Sequence, residues 1–527
     1  MRRLLLLATA LAPLAPGSAA DRGKDLYNDH CMMCHQATGQ GLPPAFPPLA
    51  GAEHVLADPP DLAIRAVVEG LRGEITVAGV RYDGEMPPAL LDDAGVAEVL
   101  TYIRSTWGNQ APPVDPATVA AVRATTEFPT FDALVASRPY PPLPPAPDGF
   151  ALREILRLDD FGVRLGASQE PGRVLVLLNT GDLVSVEIES GQGVRVVEGD
   201  SYLDRSYREA FSRGFCLSRE GELFLTANYR DETATPVSNI VTIFRAPAPR
   251  SDAPPVTPKA WFTTAFPAGI GGFNHAVSHI AQGPDGMLYV TSGSRTDGGE
   301  PGGDPRYFSG GETPLTACLW RLDPAAEIPS VEVFARGLRN SYGFVWDAAG
   351  NLIATYNGPD AHRPEELNVV VRGAHYGFPF QFGDGPASDK PYPHTPDPPD
   401  GLSFARPLED TRTGLATFAP HSSPCGIAVL DDTFPPQFAG AFLVARSGNL
   451  LALDADTGFD LLLVHADLTA GTCTTAPFLG ALGRPLDIVQ TGSRSLCLLE
   501  YSRSTTFRGA GPARPGRLVE IISLAAP

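Results

Sequence analysis

The sequence predicts a multidomain chain: a small all-α domain followed by an all-β domain built as a six-bladed β-propeller. Three observations carry this expectation. A helical pattern with capping residues fills much of the region before residue 110. Glycine and proline, 54 and 53 of the 527 residues, are too abundant for a mainly helical protein. A strand–turn–strand unit recurs through the C-terminal part of the chain. Charged residues at 19% and hydrophobic residues at 43% describe a globular chain rather than a disordered one. The formal net charge is −20, and Lys24, Lys259 and Lys390 are the only lysines. Phosphate backbones need a basic face, so nucleic acid is excluded as a partner.

Residues 1–20 read as a secretory signal peptide. Arg2 and Arg3 form the charged start, Leu4 to Pro16 the apolar core, and Ser18-Ala19-Ala20 a small-residue cleavage site. An uncleaved anchor is the alternative, although the core is short and proline-interrupted for a span. The mature chain is expected to have no membrane span and to work in a bacterial periplasm.

Residues 21–110 form the first expected domain. Cys31-Met32-Met33-Cys34-His35 is a C-x-x-C-H motif, which suits two thioether bonds to a haem and one imidazole on its iron. The chain has five methionines. Met1 is removed with the signal, Met32 and Met33 sit beside His35, and Met287 belongs to the other domain. Met86, in Gly84-Glu85-Met86-Pro87-Pro88, is therefore the expected second axial ligand, on a loop that its prolines hold extended. His54 is the rival. Asp21 to Cys31 reads as one helix. A second, capped by Asp92 or Asp93, runs to about Trp107 with Val96, Val99, Leu100 and Ile103 on one face. With these features residues 21–108 resemble a class I cytochrome c domain, which implies one covalent haem c.

Residues 111–148 are expected to be a Pro-rich linker. Six prolines fall between Pro139 and Pro147, a stiff polyproline II spacer. Asp115-Pro116 can cap a short helix before it.

Residues 149–527 carry the repeat. Phe215, Ile280 and Phe344 are each followed six residues later by a glycine (Gly221, Gly286, Gly350) and then by an apolar strand. Ile488 repeats the spacing with Arg494 in the glycine place, and weaker copies start near Gly172 and Gly426. Six units point to a six-bladed propeller; a seventh blade or a β-sandwich is the alternative. Polar residues fall in register on the loops leading into or out of the inner strands. They are Asn274-His275, Arg339-Asn340, Gly358-Pro359, His421, Arg446 and Arg484. Such loops converge on one axis, so these groups are expected to share a cavity.

From about Gly149 onward the chain resembles PQQ-dependent soluble aldose dehydrogenases and the related sorbosone dehydrogenases. The matching stretches are Asn274-His275 with Gly283-Pro284-Asp285-Gly286, Gly337-Leu338-Arg339-Asn340, Gly358-Pro359 with Glu365-Glu366-Leu367-Asn368, and Arg372 to Pro379. The resemblance implies a role for each position. His275 would be the general base toward a sugar hydroxyl. Arg339 would hold negative charge developing on the quinone. Asn274, Asn340, Arg446 and Arg484 would bind the tricarboxylate PQQ. Gly358 and Pro359 would offer carbonyls to a calcium ion, and Glu365, Glu366 and the Tyr376 carbonyl a second calcium; a solvated acidic turn is the alternative for the glutamates. The chain departs from the pattern in three places. Arg446 or Ser447 stands for a lysine, Leu486 for a second arginine, and Ser294 for the aspartate behind the base, with Asp297 nearby.

The propeller cysteines (Cys216, Cys318, Cys425, Cys473 and Cys497) have a spacing that fits no metal site, and packing as small apolar residues is the expectation for most; pairing of some in an oxidising compartment is the alternative, and the odd number leaves at least one free. The reading that follows is a periplasmic quinohaemoprotein. It oxidises a sugar or related alcohol or aldehyde at PQQ and passes single electrons through the haem to a soluble or membrane acceptor. The alternatives are a haem c electron-transfer or binding protein whose propeller lacks PQQ, and a calcium-dependent lactonase-like propeller.

Overall fold

The computed structural model describes residues 19–41, 46–89, 91–125, 142–207, 209–269, 274–299, 305–359, 361, 363–383, 385–390, 392, 394–448, 458–502 and 515–524. The expected signal core lies outside them, as do Pro139 and Pro141 of the expected linker. The chain divides into two compact units, Met1–Phe128 and Pro129–Pro527.

The first unit contains helices α1 (Ala19–His30), α2 (Met32–His35), α3 (Glu53–Leu56), α4 (Asp61–Glu69), α5 (Asp93–Ser105) and α6 (Pro116–Ala124). Asp92 caps α5 by accepting from the Gly95 amide at 2.7 Å. Val96, Val99, Leu100 and Ile103 form its buried face, as their spacing requires. Where α1 crosses α5, a Cβ on Gly23 would lie 2.3 Å from the Glu98 carbonyl, so the crossing needs a glycine.

Two features differ from the sequence expectation. The small domain is not all helix, since strands β1 (Leu71–Val77) and β2 (Val80–Met86) pair antiparallel around Ala78-Gly79. Val77 and Tyr82 are buried; β-branched and aromatic side chains on either side of a tight turn favour such a ribbon. Met86 therefore ends a strand, paired with Leu71. The second difference concerns residues 111–125, expected in the linker. Asp115 caps α6 through the Thr118 amide at 2.9 Å. Val119 and Val122 are buried, and Arg123 reaches Asp93 at 2.7 Å. This segment folds onto the first unit.

The second unit contains six sheets, antiparallel except where Glu409–Asp410 pairs parallel with Thr472–Gly480. Their innermost strands are Gly162–Ala167, Phe215–Leu217, Val277–Gln282, Phe344–Trp346, Pro424–Val429 and Pro485–Gly492. In the turn after the inner strand, Gly172, Gly221, Gly286, Gly350 and Gly440 have φ between 73° and 86°. Arg494 occupies the sixth turn at φ 61°, so the position that breaks the glycine pattern keeps its left-handed backbone. The sixth sheet is closed by both ends of the unit. Phe150–Arg157 pairs with Arg517–Ser523, stapled by Arg153 to Glu520 at 2.6 Å and Arg517 to Glu154 at 3.0 Å.

The inner strands meet on a buried polar network. Arg164 of blade 1 is fully buried. It faces Asp487 of blade 6 at 3.5 Å, donates to the Tyr342 carbonyl at the start of blade 4 at 3.0 Å, and reaches the Arg213 carbonyl before blade 2 at 3.3 Å. Tyr342 returns a hydrogen bond to the Val163 carbonyl at 2.6 Å, and its ring lies 4.2 Å from the guanidinium. Burial raises the pKa of Asp487 above the ordinary carboxylate value, opposed by Arg164. Replacing Arg164 with methionine leaves that carboxylate buried beside two neutral amide donors, Leu165 at 2.8 Å and Ile488 at 3.1 Å, with no cation. The propeller should lose about 3–5 kcal/mol, read from urea unfolding by circular dichroism; an unchanged midpoint would remove the network from the fold's energetics.

Candidate functional site

In the first unit an apolar cavity is lined by Cys31, His35, Met86, His54, Leu100 and Ile103, among others. His35 is buried, and its Nδ1 lies 2.9 Å from the Pro47 carbonyl. A carbonyl only accepts, so Nδ1 carries the proton and Nε2 is left with the lone pair a metal requires. Burial lowers the His35 pKa, keeping the ring neutral, against the opposing pull of the Pro47 bond. Burial also pushes the Cys31 thiol up to about 12 and Cys34 to about 11. Both rival axial ligands line this cavity. The His54 ring already contacts the Thr76 carbonyl at 3.3 Å, while Met86 arrives on the end of the ribbon. The apolar wall, the oriented imidazole and the thioether fit a c-type haem. Pro47 was not legible as a functional residue, because its role is a carbonyl contact twelve residues from the histidine.

In the propeller, His275 and Arg339 come together. The Ser294 amide donates to the Arg339 carbonyl at 2.6 Å, and its hydroxyl lies 3.2 Å from His275 Nδ1. Ala276, which follows the histidine, is left-handed at φ 54°, a kink typical of residues aimed into a site. The Arg339 guanidinium is buried and held by Asp297 at 2.6 Å; it also donates to the Gly358 carbonyl at 2.7 Å. Tyr392 donates to the other Asp297 oxygen at 2.5 Å. In sequence Asp297 stood out only as a neighbour of the position behind the base, and Tyr392 not at all, since their partners lie 42 and 95 residues away.

The expected cofactor-binding residues separate into two groups. Asn274 exchanges hydrogen bonds with Asn239 at 2.7 and 3.0 Å, and the Arg446 fork is closed by Asp460 at 2.6 and 2.8 Å. These side chains face the protein. Arg484, at φ 52°, lies over the Phe459 ring at 5.2 Å and reaches the Ser447 carbonyl at 3.5 Å. Burial pulls its pKa down to about 10, a cost that an anion beside it offsets. The Asn340 carbonyl accepts from Asn357 at 3.0 Å, which fixes its backbone beside Arg339.

For calcium, the Gly358 carbonyl is shared with Arg339, and the Pro359 carbonyl accepts from Ala361 at 2.7 Å. Each keeps a second lone pair. Glu365 and Glu366 are buried rather than solvated. Glu365 accepts from the Gly358 amide at 2.5 Å, and Glu366 accepts from Gly383 at 3.0 Å and Asn368 at 2.9 Å. On neighbouring positions the Tyr356 hydroxyl and the amide oxygens of Asn357 and Asn368 are buried without a hydrogen-bond partner. Burial raises the Tyr356 pKa well above its ordinary value, with Glu366 adding to it. Orphan oxygens beside two carboxylates suit a hard cation. The described residues hold no cluster of three or more His, Cys, Asp or Glu side chains able to bind a metal, so such a cation would rest partly on carbonyl and amide oxygens. The Tyr376 hydroxyl donates to the Val369 carbonyl at 2.6 Å. The five propeller cysteines make no disulfide, and Cys318, Cys425, Cys473 and Cys497 are buried, packed as small apolar residues.

A cavity that fits a c-type haem and a six-bladed propeller with a histidine and an arginine joined on adjacent blades define a two-domain redox architecture. Comparison with known proteins agrees. Residues 20–107 match the cytochrome c family, and residues 263–461 match the family described as Glucose / Sorbosone dehydrogenase. The cytochrome c-552 of Thermus thermophilus is 40% identical over 113 residues, covering 21% of this chain and 74% of that protein. The cytochrome c subunit of the quinone alcohol dehydrogenase of Gluconacetobacter polyoxogenes is 32% identical over 109 residues, 19% of this chain and 22% of that subunit. The PQQ-bound aldose sugar dehydrogenase of Streptomyces coelicolor shares 21% identity and a TM-score of 0.50 over 72% of this chain and 99% of its own. A glucose dehydrogenase shares 16% identity and a TM-score of 0.51 over 70% and 99%. The chain belongs to the cytochrome c family through its N-terminal domain, which it joins to a propeller of the fold seen in those sugar dehydrogenases.

Replacing Met86 with alanine should abolish the long-wavelength sulfur-to-iron absorption band of the oxidised holo-protein and lower its reduction potential. An unchanged spectrum would move the axial ligand to His54.

Proposed function

We propose that this chain is a quinohaemoprotein dehydrogenase of the bacterial periplasm. It oxidises a sugar or a related alcohol or aldehyde in the propeller and delivers the electrons singly through haem c, held by Cys31, Cys34, His35 and Met86. The observation that carries the reading is the joining of His275 to Arg339 through Ser294, in a propeller fused to a c-type cytochrome. PQQ, when bound, supplies a two-electron hydride acceptor. His275 Nε2 takes the proton from the substrate hydroxyl as the C–H bond breaks. Arg339, buried and oriented by Asp297, presents its charge where negative charge develops, in a setting that screens it little. Arg484 and Asn340 bind the cofactor's carboxylate edge, since Asn274 and Arg446 are engaged by Asn239 and Asp460. The Gly358 and Pro359 carbonyls hold calcium beside the cofactor. Glu365 and Glu366, with the orphan oxygens near them, hold a second cation. Among the described residues no helix is long and apolar enough to cross a membrane, which is compatible with export in soluble form.

Purified holo-protein should be loaded with PQQ and calcium, given a panel of sugars, alcohols and aldehydes, and followed by haem absorbance. Substrate-dependent haem reduction is expected. His275→Ala should slow it by roughly 10²–10⁴ and leave reduction by dithionite untouched. Haem reduction that ignores PQQ and every substrate would instead support a propeller without PQQ.

Arg484→Ala should weaken PQQ binding by about tenfold to a hundredfold, the loss of one charge-assisted contact. Arg446→Ala should change it far less and cost stability instead, because it strands Asp460. Equal effects on binding would return Arg446 to the cofactor clamp.

A further inference from the structure

The loop that carries Ser294 is braced more heavily than a strand end requires. Glu312, whose pKa burial raises above the ordinary value, accepts from the Arg295 amide at 3.1 Å, the Thr296 amide at 3.0 Å and the Thr296 hydroxyl at 2.5 Å. The Arg295 side chain donates to the carbonyls of Pro267 at 3.3 Å, Ala268 at 2.9 Å and Phe308 at 3.0 Å, and also to Gly310 and Gly311. Ser294, Arg295 and Thr296 are all buried. The Thr296 carbonyl is thereby fixed in place, and the Ser294 hydroxyl donates to it at 2.7 Å. On the other side Gly293 has no Cβ to clash with His275, where one would come within 2.4 Å of the histidine Cβ. The His275 amide donates to the Ser294 carbonyl at 2.9 Å, so ring and hydroxyl are held face to face.

A hydroxyl has one proton. With that proton committed to the Thr296 carbonyl, Ser294 Oγ can only accept from His275 Nδ1. We propose that Ser294 is a positioning residue that locks His275 in the Nδ1-protonated tautomer through a neutral chain from Nδ1–H to Ser294 to the Thr296 carbonyl. The neighbouring carboxylates brace other groups: Asp297 holds Arg339, and Glu312 acts one step further back, on the Arg295 and Thr296 amides. The Nε2 lone pair is thus presented in the resting protein rather than selected at each turnover. The inference deepens the base assigned to His275 and rests on it only for its consequence, because the tautomer itself is a property of the unloaded protein.

The test is ring-nitrogen NMR of the full-length protein labelled with ¹⁵N-histidine, without PQQ or substrate. The His275 signals are identified by their loss in His275→Gln. The parent should show the nitrogen pattern of an Nδ1–H, Nε2-unprotonated ring at neutral pH. Ser294→Ala should lose that pattern in favour of the Nε2–H form, and Ser294→Thr, which keeps the hydroxyl, should retain it. A parent protonated on Nε2 would overturn the proposal, as would a folded Ser294→Ala protein with the parent pattern. In loaded enzyme Ser294→Ala should lose at least about tenfold in kcat, as a base in the wrong tautomer does, with KM little changed and Ser294→Thr near the parent. If the tautomer shifts and turnover does not, the lock stands and the catalytic role of His275 falls; if neither shifts, the lock itself is wrong.

Discussion

The propeller depends on one buried arginine. Arg164 reaches a carboxylate on blade 6, a carbonyl at the start of blade 4 across the axis, and a carbonyl before blade 2. A guanidinium with five donors in a rigid plane is the side chain able to satisfy partners in several directions. Around it the blades approach as closely as backbone allows. A Cβ on Gly214 would sit 1.9 Å from the Ser278 carbonyl, and one on Gly343 2.3 Å from that of Cys425. The result is a rigid ring beneath the loops that bear His275, Arg339 and Arg484. It holds the left-handed Ala276, Ser423 and Arg484, each immediately before an inner strand. A non-glycine residue in that conformation costs about 1–3 kcal/mol, which a loop without such a base would relax away.

Carboxylates in this propeller are distributed to its arginines. Asp297 holds Arg339, Asp460 holds Arg446 and Asp487 faces Arg164. The histidine receives a hydroxyl. This division sets what each group can do. An arginine braced by a carboxylate is fixed in direction and keeps its charge, and an imidazole backed by a hydroxyl is, on the proposal above, fixed in tautomer. Arg484 leans on an aromatic ring, and its depressed pKa records the cost of burial, which makes it the cation best suited to an incoming anion.

The cytochrome domain uses the same device with a backbone partner. The Pro47 carbonyl fixes the proton of His35 on Nδ1, as the Ser294 hydroxyl fixes that of His275. On the proposed function, the free nitrogen serves the haem iron in the first case and a substrate proton in the second. On that same proposed function, joining the two domains in one chain answers a chemical need, because a two-electron oxidation must be matched to one-electron carriers, and a haem iron changes by one electron at a time.

Much was determined by the sequence alone, for local reasons. The C-x-x-C-H spacing places two thiols and an imidazole on one turn of chain. Asp92 and Asp115 announce their helices because capping is satisfied within three residues. The turns at Gly221, Gly286 and Gly350 are legible because a left-handed residue favours glycine, and Arg494 was recognisable through spacing even without one; in the fifth unit the sequence pointed to Gly426, which lies within the inner strand, and the turn glycine is Gly440. The tertiary structure decided what depends on partners far away in sequence. The Leu71–Met86 ribbon is short, and its pattern competed with a helical domain around it. Residues 111–125 look like linker until Val119 and Val122 are seen buried against the first unit. Arg446 and Arg484 are equivalent as letters, yet Asp460 closes one while the other lies over Phe459. The proposed proton position on His275 rests on the Thr296 carbonyl, whose amide is held by Glu312 sixteen residues away, a contact that no local pattern in the sequence announces.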